Sequence, residues 1–179
     1  MSLNIFRTTR LKVREFTPND ASFIVRLVNT PGWLNFIGDK KVDSPEDALG
    51  YLSNGPFESY RRFGFGMWHV SRLGDGAELG MCGLLKRQGL AHPDVGFAFL
   101  PEYQRNGYAS EAANATLGHG FNHFNLESIF AITMHENVRA QRLLNKIGLT
   151  YERDIWIATS GKEEELMLYR IRKPDTINS

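Results

Sequence analysis

Residues 94 to 124 pass from DVGFAFL, a short alternating run, through a proline and a loop holding one glycine, into ASEAANATLGHGFNHF. Alternation marks DVGFAFL as a strand, and Pro101 stops its ladder because it has no N–H to donate. The last segment places Ala109, Ala112, Ala113, Thr116, Leu117, Gly120, Phe121 and Phe124 on one face at helical spacing. A long amphipathic helix is expected there, despite glycines that each cost about 1 kcal/mol relative to alanine. A strand that feeds a helix through a short loop leaves consecutive N–H groups pointing out of the helix mouth, where the helix dipole adds partial positive charge. Such a mouth binds phosphate. In QRNGYA, Gly107 permits close backbone approach and Arg105 can add a charged contact. Neither G-x-G-x-x-G nor G-x-x-x-x-G-K-[ST] occurs, so the dinucleotide and triphosphate loops lack their motifs. Taken alone, one glycine is weak evidence and fits a plain turn before a helix better.

Upstream, LKVREF alternates as a strand, and TPND supplies Thr17 as N-cap, Pro18 for the first helical position and an acid three residues past the cap. The helix that follows turns Ile24, Leu27 and Val28 inward. SPEDALGYL repeats the device with Ser44 and Pro45, and TPGWLNFIGDKK between them reads as an aromatic-bearing loop. FGFGMWHVSR and ELGMCGLLKR flank Asp75-Gly76 and form a hairpin. SIFAITM is a continuous apolar run of the kind buried on both faces. ENVRAQRLLNKIG is a helix with Val138, Leu143, Leu144 and Ile147 inward, ended by Gly148. TYERDIWIATSGKEEELMLYRI closes as a hairpin turning near Ser160-Gly161, and Trp68, Met81 and Trp156 on the strands are expected in the core. The fold class is α/β (α+β), with a mixed, mostly antiparallel sheet of about seven strands and about four helices.

With 179 residues, 42% of them apolar, the chain can bury one sizeable core, and a single domain over 1–179 (core about 8–171) is expected. A net charge of +1 favours neither nucleic acid nor an anionic membrane. No apolar run approaches the roughly 18 residues of a membrane span. The lone Cys82 cannot form an internal disulfide, no Cys/His spacing reads as zinc, and a cytoplasmic setting is expected.

Gln104-Arg105-Asn106-Gly107-Tyr108-Ala109 resembles the Q/R-x-x-G-x-G/A signature of the GNAT acyl-CoA N-acyltransferases. TTRLKVREFTPNDA, DVGFAFLPEYQRNGYASEA and ENVRAQRLLNKIGL are similar to the ribosomal-protein N-terminal acetyltransferase-like (RimJ/RimL-like) group, so the likeness runs from about residue 8 to 171. It implies a GNAT fold, acetyl-CoA as co-substrate and a primary amine as acceptor, foremost a protein or peptide N-terminus. Matched by position, Phe97, Ala98 and Phe99 would aim the pantetheine arm, on a strand splayed open by a bulge. Gln104, Arg105, Asn106, Gly107, Tyr108, Ala109 and Ser110 would hold the pyrophosphate, and Asn137 would lie near the donor while also fitting a helix N-cap. Arg139, Arg142 and Lys146 share a face that is either solvated or turned to the 3′-phosphate.

The family's usual glutamate and tyrosine for proton transfer fall at Ile132 and Leu144, so those roles do not carry over. Asp94, near where other members place a carboxylate, is the candidate catalytic group, its plain alternative being a solvated loop-end aspartate. His69 and His135 read as strand-end or surface histidines, Cys82 as a buried apolar group. Tyr103 and Tyr108 flank the loop, and Trp33 and Phe36 suit either the acceptor cleft or packing. Two further readings share the donor site: a coenzyme A-binding regulatory domain without turnover, and acetylation of a small amine such as a polyamine, an antibiotic or an amino acid. A monomer or homodimer is expected.

Overall fold

The computed structural model describes residues 3–159 and 162–174. Two short strands, β1 (Asn4–Arg7) and β2 (Leu11–Arg14), lead into helices α1 (Ala21–Val28), α2 (Pro31–Phe36), α3 (Pro45–Leu52) and α4 (Glu58–Phe63). Then come β3 (Met67–Arg72), β4 (Glu78–Leu85), β5 (Asp94–Phe99), α5 (Tyr108–His123), β6 (Ser128–Thr133), α6 (Val138–Lys146), β7 (Thr150–Thr159) and β8 (Lys162–Arg172). Among the described residues these make one eight-stranded sheet in the order β1-β2-β3-β4-β5-β6-β8-β7, antiparallel except where β5 meets β6. The expected Ser160-Gly161 turn lies outside the described residues.

Period-two alternation decides what each sheet face buries. Trp68, Val70, Cys82 and Leu84 of β3 and β4 point to one side, where Ala112, Ala113, Leu117 and Phe121 of α5 and Leu144 of α6 cover them. Met67 and Met81, one residue out of phase, point to the other side beneath α1 and α3, against Ile24, Leu27, Ala48 and Leu52. Strand β6 is central and covered on both faces, Ile129 and Ala131 facing the first core and Phe130 a third cluster with Leu166 and Leu168.

The caps behave as expected. Asp20 accepts the Thr17 N–H at 2.7 Å, and Ser44 Oγ accepts the Asp47 N–H at 3.1 Å while Asp47 returns a bond to the Ser44 N–H at 3.0 Å. Several expectations are corrected. TPGWLNFIGDKK is not all loop: Pro31 opens α2. Strand β1 and helix α4 are additional, α4 following α3 through a π turn at Ser53–Phe57, where Pro56 lacks the N–H an α turn would use. Val138, the first residue of α6, is exposed rather than inward. Trp156 is 68% exposed, because the β7–β8 register shifts between Tyr151 and Arg153, and the inward phase passes to Ile157. His69 is no surface histidine; it is buried mid-strand against Phe16 and Phe23.

Candidate active site

The sheet divides between β5 and β6. These parallel strands pair at Asp94 and Phe130, where the Pro93 carbonyl accepts the Phe130 N–H at 2.9 Å, and no further pair is formed toward their C-terminal ends among the described residues. β6 instead keeps six pairs with β8, from Ser128–Arg172 to Thr133–Met167. The expected bulge in β5 is absent: its register against β4 is unbroken from Gly80–Phe99 to Leu85–Asp94, and the opening comes from β6 leaving. A strand turns the polar groups of successive residues alternately to its two neighbours. Leu100 donates to Leu79 on the β4 side at 2.9 Å, so Gly96 and Ala98 also face β4, and Phe97 and Phe99 face the gap. The Phe99 carbonyl accepts from Gln104 Nε2 at 2.8 Å. The backbone N–H and C=O of Phe97 are thus presented to a wedge that no strand fills, suited to an extended amide-bearing chain.

At the mouth of this wedge the chain turns twice through the left-handed region, at Arg105 (φ 63°) and Gly107 (φ 80°). Gly107 is the N-cap of α5 and has no side chain to cap with, so the N–H groups of the first turn, Gly107 to Ser110, find no partner within the helix. A side chain at 107 would also bring its Cβ to 3.3 Å from Arg10 Nη2. A bare helix mouth, a glycine in a left-handed conformation that side chains disfavour and a strand edge with unpaired amides fit a ligand that carries phosphates on an amide-containing arm, as coenzyme A does. Asn106 donates to the Gln104 carbonyl at 3.0 Å, and Arg105 is exposed.

From the far side of the wedge, Arg139 of α6 donates to Gln104 Oε1, bridging its two lips. Arg142 and Lys146 are exposed on the same helix. Asn137 realises its capping role: Oδ1 accepts the Ala140 N–H at 3.1 Å at the start of α6.

Asp94 sits at the closed end of the wedge and is no solvated loop-end group, being 1% exposed. Arg87 Nε lies 3.0 Å from each of its oxygens. Burial pushes its carboxyl above the ordinary aspartate range against the opposing pull of Arg87. Such a carboxyl is a better proton acceptor than a free aspartate. On the opposite sheet face, a cleft of about 770 Å³ lies beside β5, lined by Tyr51, Asn54 and Pro56 of the α3–α4 wall and floored by Met67 and Leu85. A Cβ on Gly96 of β5 would meet Leu85 Cδ1 at 3.1 Å and Met67 Sδ at 3.3 Å, so this strand runs against the two residues that floor the cleft. Burial pushes the Tyr51 phenol up to about 12, so it stays protonated at neutral pH.

Burial pushes the Cys82 thiol up to about 12, which leaves no thiolate near neutral pH. Trp33 is buried and donates to the Gly38 carbonyl at 3.1 Å, whereas Phe36 is 40% exposed. His135 is paired with Asp154 at 3.2 Å. Asp20, His69 and Glu78 bring ligand-type atoms within 4.8 Å of one another, but Arg14 already grips both Asp20 oxygens at 2.7 and 2.8 Å. Two further arginines stand next to the loop, Arg10 inside the family-like stretch TTRLKVREFTPNDA and Arg72 at the end of β3, and no sequence pattern ties either of them to the loop.

Residues 10–150 match the family model described as Acetyltransferase (GNAT) domain. The uncharacterized N-acetyltransferase YnaD of Bacillus subtilis (strain 168) is 30% identical over 145 residues, 81% of this chain and 82% of that protein. Two solved structures share the fold. One is RimL, a ribosomal L7/L12 α-N-protein acetyltransferase in complex with coenzyme A (TM-score 0.79, 15% identity, 94% of this chain and 97% of that one). The other is the spermidine N-acetyltransferase SpeG of Vibrio cholerae, an engineered mutant (TM-score 0.72, 20% identity, 96% and 98%). Family model, split sheet and glycine-capped helix agree: this chain belongs to the GNAT acetyltransferases and is an acetyl-CoA-dependent acyltransferase.

Proposed function

We propose that the protein moves the acetyl group of acetyl-CoA by direct attack onto a primary amine, and that the acceptor is the α-amine of a protein or peptide N-terminus, in the cytoplasm. The observation that carries the donor half is the unpaired β5 edge leading to the bare mouth of α5. In this reading the Phe97 and Phe99 side of β5, with Ala98 between them, aligns the pantetheine arm. Gln104 to Ser110 hold the two phosphates through backbone N–H groups and the Arg105 charge, and Asn137 steadies the start of α6 beside them. The amine nitrogen bonds to the acetyl carbon as the C–S bond breaks, coenzyme A leaves as its thiolate, and Asp94 receives the proton the amine loses.

The acceptor half is supported by energetics. Freeing a lysine amine of pKa about 10.4 near pH 7.4 costs roughly 4 kcal/mol, whereas an α-amine of pKa about 7.7 to 8.0 costs under about 1. A site whose candidate base among the described residues is a buried, ion-paired carboxyl suits the second. RimL acts on an α-amine of a ribosomal protein and SpeG on spermidine, so both acceptor types occur on this fold.

Calorimetry with acetyl-CoA should give a binding heat that Gly107→Glu removes, since a carboxylate in the helix mouth repels phosphate. An unchanged heat in that variant overturns the donor site. Thiol release should be supported by peptides with free N-termini and not by the same peptides blocked at Nα with their lysines free. Faster release with spermidine than with any peptide overturns the N-terminal acceptor.

A further inference from the structure

We propose that Arg10 and Arg72, from strands remote in sequence, are positioning residues that shape the 103–111 loop before the donor arrives; this rests on the donor site proposed above. Arg10 lies in the turn between β1 and β2. Its Nη1 donates to the Asn106 carbonyl at 3.0 Å, its Nε to Glu111 Oε2 at 2.7 Å, and its guanidinium carbon stands 4.6 Å over the Tyr108 ring. Glu111 is fixed in turn by the Arg10 N–H at 3.0 Å and the Thr8 hydroxyl at 2.5 Å. Burial pushes the Glu111 carboxyl up, but these partners more than offset that and hold it below its ordinary range, so it remains a carboxylate. Arg72, at the end of β3, donates to the Tyr108 hydroxyl at 3.3 Å, and its guanidinium carbon lies 5.6 Å from the Tyr103 ring centre. Asp75 holds Arg72 in place. Loop residues 103, 106, 108 and 111 are therefore all gripped from the β1–β3 side.

The grip on Asn106 has a directional effect. A trans peptide points its C=O and the following N–H in opposite directions. Tying the Asn106 carbonyl to Arg10 therefore turns the Gly107 N–H away from Arg10, outward from the helix mouth. Without that tie the 106–107 peptide is free to flip, and glycine on one side lowers the resistance to flipping. Arg105 adds a demand of its own: a left-handed non-glycine residue is strained relative to the right-handed form and needs its neighbours fixed. A loop held in its binding shape in advance spares the ligand that ordering cost.

Coenzyme A and S-acetylpantetheine, which lacks the phosphates, separate loop shape from general stability. In Arg10→Ala, calorimetry should show coenzyme A affinity reduced about tenfold, the loss of one charge-assisted hydrogen bond. Turnover at saturating acetyl-CoA should stay within about twofold of the parent enzyme, and kcat/KM for S-acetylpantetheine should be unchanged. Arg10→Lys, which cannot reach the carbonyl and the carboxylate together, should not restore affinity. Arg72→Ala should weaken coenzyme A about threefold, in line with a neutral-acceptor bond. Should Arg10→Ala fail to fold, Glu111→Gln, which keeps the shape and drops the charge, should show the same selective loss. Affinity unchanged in these variants, or an equal fall with S-acetylpantetheine, overturns the inference. Absence of coenzyme A binding by the parent protein would instead overturn the donor site itself.

Discussion

Asp94 is caught between two pressures, and its chemistry follows from which prevails. Removal from water raises its proton affinity, Arg87 lowers it, and the balance lies above the usual aspartate range. As the proton acceptor, it should matter most where the acceptor amine is still largely protonated. Asp94→Asn should therefore lower kcat by up to about tenfold near pH 7, the factor by which protonation depletes the neutral form of an α-amine of pKa about 7.7 to 8.0. The deficit should shrink as pH rises past the amine's own pKa, and KM for acetyl-CoA should hold. A pH profile of kcat checks this; a profile parallel to that of the parent enzyme would leave Asp94 only the task of anchoring Arg87. Sequence could name Asp94 by position but not its environment, because Arg87 reaches it from across the 86–93 loop and burial is a property of the packed sheet.

At the scale of elements, short local signals set the boundaries. Thr17 and Asp20, Ser44 and Asp47, the hairpin at Gly76 (φ 74°) and the stop at Gly148 (φ 94°) are signals confined to a few residues, and each element begins or ends where they stand. The misses arise where an element depends on something distant. Helix α2 has a Pro start but is too short to show a period, and α4 hides behind Pro56, which reads as a breaker until a π turn absorbs it. Trp156 follows strict alternation on paper, yet one shifted residue in β7 inverts the phase. The contacts of Arg10 with Asn106 and Glu111 span about a hundred residues, and no local pattern announces them. β4 offers a sharper test, since Gly80 sits beside the irregular pairing of Val70 and Ser71. A Cβ there would lie 2.2 Å from the Ala98 carbonyl oxygen and 2.8 Å from Phe99 Cα, both backbone atoms of the wedge-lining strand. Gly80→Ala must push β5 outward. It should cost about 1 to 3 kcal/mol in urea unfolding, as overpacking does, and raise KM for acetyl-CoA. An alanine variant of parental stability would mean that β5 yields without strain.

Across the whole molecule, the sheet consists of two blocks, β1 to β5 and β6-β8-β7, joined at one backbone contact and clamped beneath by α5, whose buried face packs under strands of both. This arrangement leaves polar groups in mid-sheet unspent, which a structure built only for stability would pair. The donor, in the proposed reading, is the missing strand: its arm would bond the Phe97 edge and its phosphates the α5 mouth, tying the blocks together. Two consequences are measurable on the same sample. Coenzyme A at a hundred times its dissociation constant should stabilise the fold by about 2.7 kcal/mol, as any ligand of the native state does. The distribution of that effect is what the wedge dictates. Hydrogen exchange at the Phe97 amide should be fast for a mid-sheet strand in the free protein and slow markedly with coenzyme A bound, and the amides of Gly107 to Ser110 should follow it. The Ala98 amide, already committed to β4, should change little, because only opening of the β4–β5 pair exposes it. Protection that rose equally at 97 and 98 would mean that the ligand tightens the sheet as a unit and does not fill the split between β5 and β6.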